Sequence, residues 1–140
     1  MIIRRVVLDT NIVLSALIFQ SGRIAKFRDL WTTGRINPLV SRATIEELIR
    51  TLSYPKFQLS ESEKQELIGD YLPYCEVVQI PNPKPQTPPC QDPADIPFLH
   101  LTLAGDADAL ISGDKHLLAL REKVSFSIIT AGDFLKAFSE

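Results

Sequence analysis

The sequence predicts one α/β domain across residues 1–140, a three-layer α/β/α sandwich around a mainly parallel sheet. Two observations carry this. Runs such as Val6-Val7-Leu8 and Ala109-Leu110-Ile111 are continuously apolar, as strands buried on both faces require. Between such runs lie segments with apolar residues every three or four positions, so strands and helices alternate along the chain. Right-handed crossovers then bring each strand's carboxyl end, and the start of each following helix, to one edge, where a ligand sits.

In order, Ile2 to Leu8 reads as a buried strand and Asn11 to Phe19 as a short apolar helix. A helix from Gly22 to Thr33 follows, with Ile24, Phe27, Leu30 and Trp31 spaced for one buried face. Asn37 to Val40 is a short strand. Ser41 then suits the N-cap of a helix from Arg42 to Leu52, striped by Ile45, Leu48, Ile49 and Leu52 and ended by Tyr54-Pro55. Ser60 opens a helix running to about Tyr71, closed near Pro73, and Glu76 to Ile80 forms the next strand. Residues 81–93, PNPKPQTPPCQDP, hold six of the ten prolines and form a stiff connection. After it come a helix from Ile96 to Ala104, a strand from Ala109 to Ile111, a helix from Lys115 to Leu120, a strand from Phe126 to Ile129 and a helix from Ala131 to Phe138. No internal repeat is visible.

Composition narrows the class. With 45% hydrophobic and 23% charged residues the 140-residue chain is globular. No apolar run reaches spanning length and none near Met1 resembles a secretory signal, so a cytoplasmic protein without membrane attachment is expected. Cys75 and Cys90 form no CxxC, which disfavours a zinc site. Net charge is −2, yet its distribution is uneven. Residues 1–60 carry nine Lys and Arg against four Asp and Glu, a balance of +5, and residues 61–140 carry six against thirteen, a balance of −7. A basic surface for phosphate beside an acidic site would produce this, as would two differently solvated faces.

Several acids belong to the edge where strands end. Asp9 closes the first strand in VVLDTN, and Asp114 follows the ALISG strand. Glu46 and Glu47 lie in the early turns of the helix after the second strand, and Asp92 and Asp95 stand where the proline-rich connection enters the next helix. Any one of them could serve only as a helix cap or favour a helix dipole. Crowded together they repel, and a hard divalent cation, Mg2+ or Mn2+, is the natural counter-charge for oxygen ligands. Thr10, Asn11, Ser41 and Ser112 add neutral groups that orient carboxylates or bind metal waters. Asp106 and Asp108 precede their strand and belong to the opposite edge.

This ordered set resembles a PIN domain, the metal-dependent nuclease fold of VapC-type toxins in toxin–antitoxin systems. The resemblance rests on Asp9-Thr10-Asn11 after a strand, Glu47-Leu48 on a helix, Asp92-Pro93-Ala94-Asp95, and Gly113-Asp114 before Leu117-Leu118, and it spans Val6 to about Phe138. It implies a catalytic and metal-binding quartet of Asp9, Glu47, Asp95 and Asp114, with Thr10, Asn11, Ser41, Asp92 and Ser112 in support. Glu47 is preferred to Glu46 because it precedes the Leu of the motif, while Glu46 projects about 100° away. Ser112 stands where the family often has Thr. The resemblance further implies RNA hydrolysis leaving a 5′-phosphate and a 3′-hydroxyl, and an antitoxin protein as inhibitor; a homodimer is one assembly the sequence allows.

The first functional reading is therefore an endoribonuclease using one or two Mg2+ or Mn2+ ions. Arg23, Lys26, Arg28 and Arg35, in the positive half, are candidates for gripping the RNA backbone or else form a solvated face. A phosphomonoester hydrolase with Asp9 as nucleophile is an alternative, although Asn11 stands where such enzymes need a second Asp. A receiver-like or non-catalytic PIN-fold binding module is another.

Overall fold

The computed structural model describes residues 4–19 and 21–138. Its centre is a five-stranded sheet in the order β3-β2-β1-β4-β5, every pairing parallel, built from β1 (Arg5–Leu8), β2 (Asn37–Val40), β3 (Glu76–Val77), β4 (Ala109–Ile111) and β5 (Ser127–Ile129). The helices are α1 (Thr10–Ile18), α2 (Lys26–Thr32), α3 (Arg42–Leu52), α4 (Glu61–Gly69), α5 (Ile96–Ala104), α6 (Lys115–Leu118) and α7 (Ala131–Phe138).

Alternation along the strands divides the core into two layers. Val6, Leu8, Val40 and Ile111 face a cluster with Ile12, Leu17, Phe27, Trp31, Leu48 and Phe134, from α1, α2, α3 and α7. Val7, Leu39, Leu110 and Ile128 face Phe98, Leu99, Leu101 and Leu117, from α5 and α6. This is the three-layer α/β/α sandwich that the continuous apolar strands predict. No helix among the described residues is long and apolar enough to cross a membrane.

Several expected boundaries shift for physical reasons. The part of the first strand before Arg4 lies outside the described residues. The second helix starts at Lys26, not Gly22, because Gly22 takes a left-handed φ of +97° and residues 23–25 form a turn. The fourth helix ends at Gly69, after which Tyr71 turns inward and is 2% exposed. The third strand keeps only Glu76 and Val77, both exposed, since it is a sheet edge running towards Pro81. The sixth helix stops at Leu118 and gives way to a 3-10 turn over Arg121–Lys123, and the fifth strand starts at Ser127. Ile49 is not part of the α3 stripe: Leu48 and Leu52 are buried, whereas Ile49, a further 100° round the helix from Leu48, is 43% exposed.

The strand order sets the site. From β1 the chain steps through β2 to β3 in one direction, then crosses to β4 and β5 on the other side of β1. The connections diverge between β1 and β4, and the crevice at their carboxyl ends is where doubly wound sheets bind ligands.

Candidate metal centre

Asp9 and Ser112 follow the two strands that flank this crevice. Asp9 is the N-cap of α1: its Oδ1 accepts from Ile12 N–H at 3.2 Å, and its backbone N–H donates to the carbonyl of Ile111 at 3.1 Å. The other oxygen, Oδ2, takes a short hydrogen bond from the Ser112 hydroxyl. Ser112, fully buried, also accepts from Asp114 N–H at 2.9 Å. One hydroxyl thus ties the first acid to the last. Burial pushes the Asp9 carboxyl above its usual range, and Asp114 adds to that, against the hydrogen bonds from Ser112, Ile12 and Asn11.

Asp114 caps α6, its Oδ1 accepting from His116 N–H at 2.7 Å and Leu117 N–H at 3.4 Å. Asp92 caps the 3-10 turn Pro93–Asp95 through Ala94 N–H at 3.0 Å. Capping therefore engages one oxygen of each and leaves the other free to face a cation. Asp95 differs, since its side chain caps nothing. It is 8% exposed, and its Oδ2 is the buried side-chain oxygen or nitrogen without a hydrogen-bond partner among the described residues. Burial, then the carboxylates of Asp114, Asp92 and Asp9, hold its carboxyl up to about 7. An orphaned buried oxygen among like charges is a strained arrangement for the bare protein and a fitting one for a cation.

Glu47 reaches the edge from α3. It is half-buried and accepts from the Thr10 hydroxyl at 2.5 Å, which locks it against the start of α1. Glu46 points to solvent and pairs with Arg42 at 3.0 Å, one turn back on the exposed face. Helix phase separates the two neighbouring acids.

The tightest grouping is not the quartet that the resemblance implies. Asp92, Asp95, Asp114 and His116 each offer a donor atom within 4.8 Å of the others, and Asp9 and Glu47 fall outside that group. His116 was absent from the residues singled out in the sequence; its signal was its position, two residues after a helix-capping Asp. Ser41 is 1% exposed and its hydroxyl and backbone are committed to a capping box with Thr44, so it shapes the start of α3. Asn11 is exposed at the start of α1.

The four expected RNA-gripping cations do not reach this edge. Helix α1 runs away from Asp9, and Arg28 donates to the carbonyl of Leu17 in its last turn and pairs with Asp70 at 3.1 Å. Arg23 and Lys26 are exposed near that far end, and Arg35 stacks on the Phe138 ring at 5.0 Å just before β2. A groove of about 820 Å³ between α3, residues 77–84 and α5 is lined by Arg42, Lys84 and His100 together with Ser41, Glu46 and Pro97.

A PIN domain family model matches residues 5–116. The uncharacterized protein MJ1680 of Methanocaldococcus jannaschii is 26% identical over 144 residues, covering 97% of this chain and 92% of that protein. Among solved structures, VapBC2 from Rickettsia felis, bound to a DNA fragment from its promoter, is similar with a TM-score of 0.62 at 13% identity, over 90% of this chain and 98% of that one. PAE2754 from Pyrobaculum aerophilum gives a TM-score of 0.61 at 13% identity, over 97% and 90%.

Proposed function

The chain belongs to the PIN domain family, and from that premise we propose that it is a Mg2+- or Mn2+-dependent endoribonuclease, the toxin of a toxin–antitoxin pair. The observation that carries the reading is Asp95, a buried carboxylate with an orphaned oxygen among three other acids. The donor set fits a hard divalent ion, which would lower the pKa of a water and offset charge developing on the phosphodiester.

The protein's own part is positioning. Asp95 and Asp114 hold the ion, with Asp9 and Glu47 closing the site from the β1 and α3 side. The Ser112 hydroxyl fixes Asp9 and the register of the Asp114 turn together. Thr10 fixes Glu47. Both oxygens of Asp9 already accept hydrogen bonds, which suits a fixed ligand better than a covalent nucleophile. We assign the grip on the phosphates that flank the cleaved bond to Arg42 and Lys84, which line the groove between α3 and α5, since Arg28 and Arg35 are engaged with Asp70 and the Phe138 ring. An antitoxin partner is supported by the likeness to VapBC2.

The test is to incubate the purified protein with mixed RNAs and Mg2+, Mn2+ or EDTA. Cleavage is expected with either ion, absent with EDTA and absent in Asp9→Asn. Ion-independent cleavage, or full activity in the variant, would refute the reading.

A further inference from the structure

We infer that Asp92 and His116 complete, with Asp95 and Asp114, a nitrogen-containing cation centre that favours Mn2+ over Mg2+. This rests on the nuclease reading and deepens it by naming the ion the site selects. One donor atom from each of the four residues lies within 4.8 Å of the rest. Donors about 2.1 Å from a six-coordinate ion stand at most about 4.2 Å apart, so the group closes on one ion with a small inward shift.

Each member has an atom to give. Asp92 and Asp114 spend Oδ1 on backbone N–H groups, which leaves Oδ2. Asp95, 8% exposed, has an oxygen with no partner. His116 stands in the first turn of α6, where its backbone N–H bonds Asp114. Its Nδ1 lies 3.5 Å from Asp114 Oδ1, beyond a good hydrogen bond and beside an oxygen that already accepts two N–H groups. Its side chain is 30% exposed, so the centre stays open to water and substrate on that side.

The chemistry of selection follows. Mg2+ takes oxygen ligands and gains little from imidazole, whereas affinity for nitrogen rises along the divalent transition series. A site of carboxylates alone would suit Mg2+; a neutral imidazole among them favours Mn2+.

The test is calorimetric titration of the whole protein with Mn2+ and with Mg2+, in wild type and His116→Gln, together with pulsed EPR of the Mn2+-loaded wild type. Nitrogen modulation is expected in the wild-type spectrum. The ratio of Mn2+ to Mg2+ affinity should fall at least about tenfold in His116→Gln, since loss even of a supporting residue commonly costs that much. The wild-type spectrum needs no variant, so a folding defect in His116→Gln leaves the inference testable. A spectrum without nitrogen modulation overturns it, and so does an unchanged affinity ratio. The nuclease reading fails separately if the Mn2+-loaded protein, its nitrogen modulation present, leaves mixed RNAs uncut.

Discussion

The two edges of the parallel sheet treat their acids in opposite ways. At the amino edge Asp108 accepts from the backbone N–H groups of Arg4 and Arg5 at 3.0 and 2.9 Å, and Glu76 takes two bonds from the Arg5 guanidinium at 2.8 and 3.2 Å and one from Asn37 at 3.0 Å. Both are held below the usual carboxylate range, Asp108 by those backbone N–H groups and Glu76 by Arg5. At the carboxyl edge Asp9 and Asp95 are held above it, burial first and neighbouring carboxylates adding. One set of acids is satisfied from within the chain. The other is buried beside like charge and leaves an Asp95 oxygen without a partner, the pattern of acids at which the proposed cation would bind.

The largest way to break this comparison is through activity. Asp95→Asn should reduce divalent-dependent RNA cleavage by at least about a hundredfold, the loss of a few kcal/mol of transition-state stabilisation. Asp108→Asn should leave the rate nearly unchanged. Equal losses in initial cleavage rate would erase the distinction between the edges.

Next in size is the contrast within α3. Glu47→Gln should slow cleavage by about tenfold or more, as removal of a ligand or its support does, while Glu46→Gln stays close to wild type because its carboxylate faces solvent with Arg42. The reverse pattern in the same assay would shift the site by one residue of helix phase.

Stability sharpens the comparison because the signs differ. In melts with EDTA, Asp108→Asn should cost about 1 kcal/mol for its weakened charge-assisted hydrogen bonds, and Asp95→Asn should raise the melting temperature. The wild type should also respond to pH. Asp95 has a folded pKa of about 7 against about 3.9 unfolded, so the folded state binds the extra proton between those values. The stabilisation is full below about 4 and lost as pH rises through about 7; metal-free melts should therefore rise from pH 8 to pH 5, and flatten in Asp95→Asn. A wild-type melting curve indifferent to pH would contradict the strained carboxyl.

The smallest effect concerns RNA grip. Arg42→Gln with Lys84→Gln should weaken RNA binding and make its log-log salt dependence shallower by about 0.7 for each lost single-strand contact. Changing Arg23, Lys26, Arg28 and Arg35 together to Gln should move it less. Fluorescence anisotropy across a salt series distinguishes them, and a larger effect of the quadruple change would return the grip to the far side.

Much of this was legible in the sequence because it depended on local pattern. Continuous apolar strands gave the sandwich, and the position of Leu48 fixed the phase that turns Glu47 inward and Glu46 outward. The places of Asp9, Asp95 and Asp114 at the carboxyl edge are legible because each follows a strand or opens a helix. His116 was harder, since its approach to Asp92 joins segments that only the divergence of connections between β1 and β4 brings together. Counting charge by halves carries no direction, whereas the structure engages Arg28 with the Leu17 carbonyl and Asp70 and stacks Arg35 on the Phe138 ring. Ile49 was misjudged because an apolar residue one step beyond a helix stripe need not share its buried face.

The claim that the carboxyl-edge acids await an external cation is tested most directly by calorimetric titration of the metal-free protein with Mn2+ at pH 7.5, beside Asp95→Asn and Asp108→Asn. Saturable binding is predicted in the wild type and in Asp108→Asn, and its loss in Asp95→Asn. Wild-type protein that takes up no Mn2+, or an Asp95→Asn variant that binds it as tightly, would contradict the account.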